Sequence, residues 1–209
     1  MKRLEESKLY GILDMGYVPP ADIVQAASQM VHGGVDIIQL RAKSYIADDV
    51  RWFAEQIHPV TSSAGVLFVI NDFPEVAAEI GAEGVHVGQE DVPVDRAREI
   101  AGYRTVVGKS THSVAQAMAA AAEDTDYIGF GPLFATPTKP DYPPTGTQEI
   151  RAVHEMVHKP VFCIGGIKLE NLAAVIEAGA RRVVIVSGIL QAKDVEGYCR
   201  KAKQMLEGG

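Results

Sequence analysis

The chain has little that would staple or anchor it. Only two cysteines, Cys163 and Cys199, stand in 209 residues, too few for a disulfide framework. Cys163 lies in an apolar run, the setting of a buried, reduced thiol. No run of 18 apolar residues occurs, which excludes a transmembrane helix. The opening MKRLEESKLY has no apolar segment, so no secretory leader is visible and a cytoplasmic location is expected. Positive charge is in deficit: 20 Lys and Arg against 27 Asp and Glu give a net charge of −7. That balance argues against nucleic acid or an anionic membrane as partner, though not against local phosphate binding.

What is present is an ordinary globular balance, 47% hydrophobic and 22% charged, too apolar for disorder. A chain this long buries roughly 70% of its unfolded surface, enough for one sizeable core, and residues 1–209 are expected to form one domain. A single unit recurs: a short apolar β-rich run, a polar or glycine turn, then a helical pattern. The strand-like runs are 9–14, 36–41, 67–71, 84–88, 105–110, 127–132, 161–165 and 182–187. Helical periodicity is clearest at 21–32, 50–61, 113–123 and 169–178, with a terminal helix at 194–206. Runs that are apolar nearly throughout, such as 66–70 and 183–186, suit a parallel sheet covered on both faces. Eight such units predict a closed (β/α)8 TIM barrel. The alternative is a doubly wound open sheet, but Asp14-Met-Gly-Tyr17 after the first run has no GxGxxG. One segment resists regular structure: 133–147 carries Pro137, Pro140, Pro143, Pro144 and Gly146. It follows strand 6, and a long loop there reads as a functional lid.

In this fold the C-terminal ends of the strands face the active site. Strand 2 ends in Gln39-Leu-Arg41-Ala-Lys43, strand 3 in Asn71-Asp72, strand 4 in His86-Val-Gly-Gln-Glu-Asp91 and strand 5 in Ser110-Thr-His112. Strand 6 leads to Thr136-Pro-Thr138-Lys139, strand 7 to Gly165-Gly166 and strand 8 to Ser187-Gly188. Asp72 and Asp91 suit a hard cation such as Mg²⁺, which takes carboxylate, water and phosphate oxygens. Arg41, Lys43 and Lys139 suit a polyphosphate. Plain ion pairing of these acids and bases is the competing reading. Gly165-Gly166 and Ser187-Gly188 occupy the recurrent phosphate-binding loops of the fold, or are glycines that tight turns require. Two phosphate-bearing regions in one mouth imply two phosphorylated small-molecule substrates, or one long one.

His154-Glu-Met-Val-His158 matches the HExxH zinc motif. Lys159-Pro160 follows at once and ends the helix, and His158 falls at the far end of the barrel. A solvated helix face is expected, not a zinc site. His86 reads as an interior or site-wall histidine, and His112 as a phosphate contact or helix cap. Neither joins the catalytic set. Trp52, Phe53 and Tyr198 fit helix packing.

Taken in order, Gln39–Lys43, Asn71-Asp72, Gly84–Asp91, Gly108–Ser113, Gly129–Lys139 and Gly165–Ile167 resemble the thiamine-phosphate synthase family over nearly the whole chain. The resemblance implies a (β/α)8 enzyme that joins an aminomethylpyrimidine methyl diphosphate to a thiazole ethyl phosphate with Mg²⁺. Diphosphate leaves first, and the thiazole nitrogen captures the pyrimidine carbocation. It assigns Gln39, Arg41, Lys43, Asn71, Ser110 and Lys139 to the pyrimidine diphosphate, with Arg41, Lys43, Ser110 and Lys139 catalytic. Asp72 and Asp91 would carry the metal, and Thr136, Thr138, Gly166, Val186 and Ser187 the thiazole phosphate. Departures are Leu13 before Asp14, Lys109, Lys168 and Arg182. Sister tautomerases share the barrel but lose the metal acids and diphosphate cations, all of which stand here. A binding protein without turnover is the reading from another class. Homo-oligomer formation through the outer helices leaves no readable signature.

Overall fold

A computed structural model describes residues 4–136 and 143–208. Eight parallel strands close into one barrel in sequence order: β1 Leu9–Asp14, β2 Ile37–Arg41, β3 Leu67–Asn71, β4 Gly84–Val87, β5 Val106–Thr111, β6 Tyr127–Phe130, β7 Val161–Cys163 and β8 Val183–Ile185. The covering helices are α1 Ile23–His32, α2 Ala47–Ser63, α3 Pro74–Ile80, α4 Val94–Ala101, α5 Val114–Ala122, α6 Ile150–Met156 and α7 Leu169–Glu177. A short α8, Ser187–Leu190, and a terminal α9, Val195–Glu207, complete the order. The expected (β/α)8 architecture is therefore what the chain forms.

Local chemistry sets the helix ends. Pro74 opens α3, where its missing N–H costs nothing, and Gly81 closes it in the left-handed region (φ 69°). The Ser113 hydroxyl caps α5 by accepting from Gln116 N at 3.2 Å. Strands β6, β7 and β8 are shorter than their apolar runs. Gly165 sits at φ 100°, outside the β region, and Ser187, expected in a loop, begins α8.

Alternation along the strands divides the core in two. Tyr10, Ile12, Ile37, Leu67, Val69, Tyr127, Phe162 and Val184 pack together as one cluster, spaced at even intervals on their strands. The residues between them, among them Leu9, Ile38, Phe68, Val85, Val107 and Ile128, pack in the larger cluster with the helices. The first set fills the barrel interior, where Tyr10 and Tyr127 meet Phe162 edge-on with ring centroids 5.5 Å apart. Further along the same inward rows stand Gln39, Arg41, Asn71, His86 and Ser110. Inward alternation thus delivers apolar layers below and a polar layer at the C-terminal mouth.

The lid expectation falls largely on residues outside the described set, 137–142, including Thr138 and Lys139. The flanks are tied down: Thr145 N donates to Pro132 O at 2.8 Å and Gly146 N to Leu133 O at 3.1 Å. Among the described residues no helix is long and apolar enough to cross a membrane.

Candidate active site

The C-terminal mouth opens into a cavity, the place where this fold usually carries its site. Its walls include Gln39, Arg41, Lys43, Asn71, Asp72, Asp91, Ser110, Thr136, Gly166, Val186 and Ser187. The barrel thus gathers all the expected site residues that lie in the described set; Thr138 and Lys139 lie outside it.

On one side the two aspartates converge on a lysine. Lys43 Nζ lies 2.6 Å from Asp72 Oδ2 and 3.8 Å from Asp91 Oδ1. Asp91 also accepts from Gly88 N at 2.7 Å, which fixes its loop. Asp72 is the one described non-glycine residue with positive φ, at 67°, a conformation that aspartate tolerates better than most. Burial, the larger effect, and the neighbouring Asp91 push the Asp72 carboxyl above its ordinary value, while Lys43 pulls it down. Two partly buried carboxylates thus stand side by side at the mouth, with Lys43 between them. That donor set fits a hard divalent cation: Mg²⁺ typically takes one or two carboxylates and completes its shell with water and substrate phosphate. No group of three or more His, Cys, Asp or Glu side chains placed to hold a metal occurs among the described residues.

Arg41 is held by a residue with no motif signal. Its Nη1 pairs with Asp14 Oδ2 at 2.5 Å, and Asp14 Oδ1 accepts from Gly16 N at 2.8 Å. The pairing follows from register, because Asp14 and Arg41 are neighbours on β1 and β2. Asp14 therefore aims the guanidinium. His86 is both interior and site wall: Nδ1 lies 3.0 Å from Tyr127 Oη, and Nε2 lies 2.9 Å from Ser110 Oγ. His112 is a tie and not a cap. Its Nδ1 donates to Gly131 O at 2.6 Å, joining β5 to the loop after β6.

On the opposite side, Gly165 and Gly166 have φ of 100° and 65°. A Cβ on Gly165 would lie 2.4 Å from Pro132 Cα, and one on Gly166 2.7 Å from Phe134 Cβ. The bare backbone lets the loop after β6 lie directly on the loop after β7, where Phe134 N donates to Gly165 O at 3.0 Å. Gly166→Ala is expected to cost about 2–4 kcal/mol, from left-handed strain and overpacking together. Urea denaturation midpoints check this, and a loss below about 1 kcal/mol contradicts it.

The departures from the family pattern lie away from the cavity. Lys109 Nζ pairs with Glu123 at 2.7 and 2.8 Å. Arg182 donates to Glu5 O at 2.7 Å beyond the N-terminal end of β8, and Lys168 is exposed at the start of α7. The HExxH motif is broken by the fold. Helix α6 ends at Met156 with Val157 extended, so His154 and His158 do not share a helical face. Nor does His154 lie on a solvated face as its sequence suggests: its Nε2 is buried. Burial first, then Arg181 and Arg182, lower its pKa from 6.5 to about 4. The unfolded chain therefore binds this proton at a higher pH than the folded one. Stability contributed by neutral His154 is present above about pH 6.5 and is lost as pH falls towards 4. Urea midpoints at pH 7 and pH 4.5 should drop less in His154→Gln than in wild type; an equal drop contradicts this.

The family model described as thiamine monophosphate synthase matches residues 9–189. A thiamine-phosphate synthase of Pelotomaculum thermopropionicum is 38% identical over 204 residues, covering 97% of this chain and 94% of that one. One of Gloeobacter violaceus is 40% identical over 192 residues; these cover 92% of this chain but only 55% of that longer protein. The solved thiamine phosphate pyrophosphorylase of Pyrococcus furiosus superposes with a TM-score of 0.88 at 30% identity, covering 96% of each chain. On family match, full-length relatives and shared barrel together, the chain belongs to the thiamine monophosphate synthase family.

Proposed function

We propose that this chain condenses 4-amino-2-methyl-5-(diphosphomethyl)pyrimidine with a thiazole ethyl phosphate, giving thiamine phosphate and diphosphate. The observation that carries the reading is the division of one mouth. Asp72, Asp91, Lys43 and Arg41 gather on one side, with the glycine-lined phosphate region of Gly166 and Ser187 in the same cavity. Asp72 and Asp91 would hold Mg²⁺, which when bound neutralises charge building on the leaving diphosphate.

The chain's own residues do the rest. Arg41, aimed by Asp14, and Lys43 bind the diphosphate oxygens and gain most as the C–O bond breaks and its electron pair departs with diphosphate. Gln39, Asn71 and Ser110 hold the pyrimidine diphosphate so that the exposed carbon faces the thiazole. Thr136, Gly166, Val186 and Ser187 hold the thiazole phosphate and so place the ring nitrogen, whose lone pair forms the new C–N bond. Thr138 and Lys139 join these two sets from the sequence pattern. No general base is required, because the thiazole nitrogen is already a nucleophile. Apolar walls at Ile164, Ile167 and Val184 keep water from the carbocation. Residues 1–209 act as one domain. The buried free thiols Cys163 and Cys199, each pushed up to about 12 chiefly by burial, suit a reducing compartment, and the reaction is assigned to the cytoplasm.

The test is direct. Purified protein is mixed with both substrates and Mg²⁺, and thiamine phosphate is read as fluorescent thiochrome. Metal-dependent product is the expected result. Binding of both ligands with no product would overturn the reading in favour of a tautomerase or a sensor.

A further inference from the structure

A line of hydrogen bonds crosses the barrel interior beneath the mouth. Gln39 Nε2 donates to Tyr10 Oη at 2.7 Å. Tyr10 Oη lies 3.0 Å from Tyr127 Oη, and Tyr127 Oη 3.0 Å from His86 Nδ1. His86 Nε2 lies 2.9 Å from Ser110 Oγ. The line begins and ends on two cavity-lining residues, with three buried side chains between them. It exists because β5 has glycine at position 108: a Cβ there would lie 2.0 Å from Tyr127 Cζ. Gly108 and Tyr127 are register partners, so the glycine gives the phenol room to reach across to His86.

Counting protons gives the line one direction. Burial raises both phenols far above their ordinary value, so each keeps one O–H to donate. Tyr10 already receives an N–H from Gln39, whose nitrogen cannot accept. Its oxygen could accept a second time, but within the line its own buried proton finds an acceptor only at Tyr127 Oη. Tyr127 must in turn pass its proton to His86 Nδ1. That nitrogen is then an acceptor, which excludes both the imidazolium and the Nδ1–H tautomer. The histidine proton rests on Nε2 and is donated to Ser110 Oγ.

We propose that Gln39, Tyr10, Tyr127 and His86 form a polarity relay that leaves the Ser110 hydroxyl an obligatory donor to an acceptor atom of the bound pyrimidine diphosphate. Tyr10, Tyr127 and His86 are positioning residues, acting on substrate only through Ser110. Without the relay, His86 Nε2 can accept, and Ser110 can spend its proton on the histidine instead. The role given to Ser110 rests on the function proposed above; the direction of the relay does not.

Two measurements on the full chain separate these. In protein labelled with ¹⁵N-histidine, long-range ¹⁵N–¹H correlations should show His86 as the Nε2–H tautomer alone. They should show a tautomer mixture in Tyr127→Phe, which keeps the ring packing. An Nδ1–H wild type, or an unchanged tautomer in the variant, overturns the relay whether or not the enzyme makes thiamine phosphate. The second measurement is a double-mutant cycle on kcat. Tyr127→Phe is expected to lower kcat about 10–100-fold, less than the 10²–10³-fold typical of a lost preorganised donor. In a Ser110→Ala background the same change should add nothing. Independent, multiplicative losses would mean that Tyr127 serves structure only. If Tyr127→Phe fails to fold, the wild-type tautomer still decides. Tyr10→Phe should leave that tautomer in place, because Tyr127 can still donate to His86; a tautomer change there also counts against the assignment.

Discussion

Asp72→Asn is expected to lower kcat/KM for thiamine phosphate formation by about 10²–10⁴-fold, the several kcal/mol that a metal supplies to a charge-releasing step. The variant is a clean one. Asparagine tolerates the left-handed backbone of residue 72 (φ 67°) about as well as aspartate does, so shape and loop geometry remain while one charge goes. The Mg²⁺ concentration for half-maximal activity should rise as well. Asp91→Ala should act in the same direction, with added loss because Gly88 N loses its acceptor at 2.7 Å. A second readout separates a metal ligand from a partner in an ion pair. Burial holds the Asp72 carboxyl above its ordinary value despite Lys43, so ionising it in the metal-free fold at pH 7 costs stability. Removing the charge should then leave the urea midpoint unchanged or raise it. Were Asp72 chiefly the salt-bridge partner of Lys43, the variant would be destabilised and its Mg²⁺ dependence would match wild type. That pair of outcomes would sink the metal assignment.

The largest effect on stability is expected at the opposite end of the barrel. Asp36 precedes β2 and is 1% exposed. Its Oδ2 accepts from Lys8 N at 2.8 Å, from Leu9 N at 3.0 Å and from Lys203 Nζ at 2.5 Å. One carboxylate thus ties the start of β1 to the terminal helix α9, across the seam where β8 meets β1 and the barrel closes. Asp36→Ala leaves the largely buried Lys203 ammonium with only the exposed Glu207 carboxylate at 3.6 Å, and two backbone donors short of their acceptor. The expected loss is about 3–5 kcal/mol, a large share of the 5–15 kcal/mol that usually holds a domain together. Asp36→Asn should lose less, since its carbonyl still accepts. Urea denaturation of the three proteins checks the order, and a loss under about 1 kcal/mol for alanine would contradict it.

Much of this molecule could be read along the chain. Strands β1 and β3 match their apolar runs residue for residue, because nothing else in a short, flanked run of Leu, Ile, Val and Phe competes with a buried strand. The rule that strand ends face the site picked out ten of the eleven expected residues that line one cavity, and the family resemblance added Val186. Legibility failed where a signal is too short or is not local. Helix α8 has four residues, about one turn, and leaves no period to detect. The runs of β7 and β8 overshoot because Ile164 and Val186 are apolar enough to extend a strand, whereas Gly165 and Ser187 end it. His154 reads as solvated from spacing, yet its Nε2 is buried.

Composition and periodicity determined the fold class, the order of the strands and the kinds of chemistry at the mouth, since burial of apolar surface and chain alternation act on each segment alone. Which groups meet was decided by the closed sheet. Asp14 reaches Arg41 and Tyr127 reaches His86 because parallel register and barrel curvature set residues from distant segments side by side. That spacing is a property of eight strands at once, and no single segment of the chain encodes it.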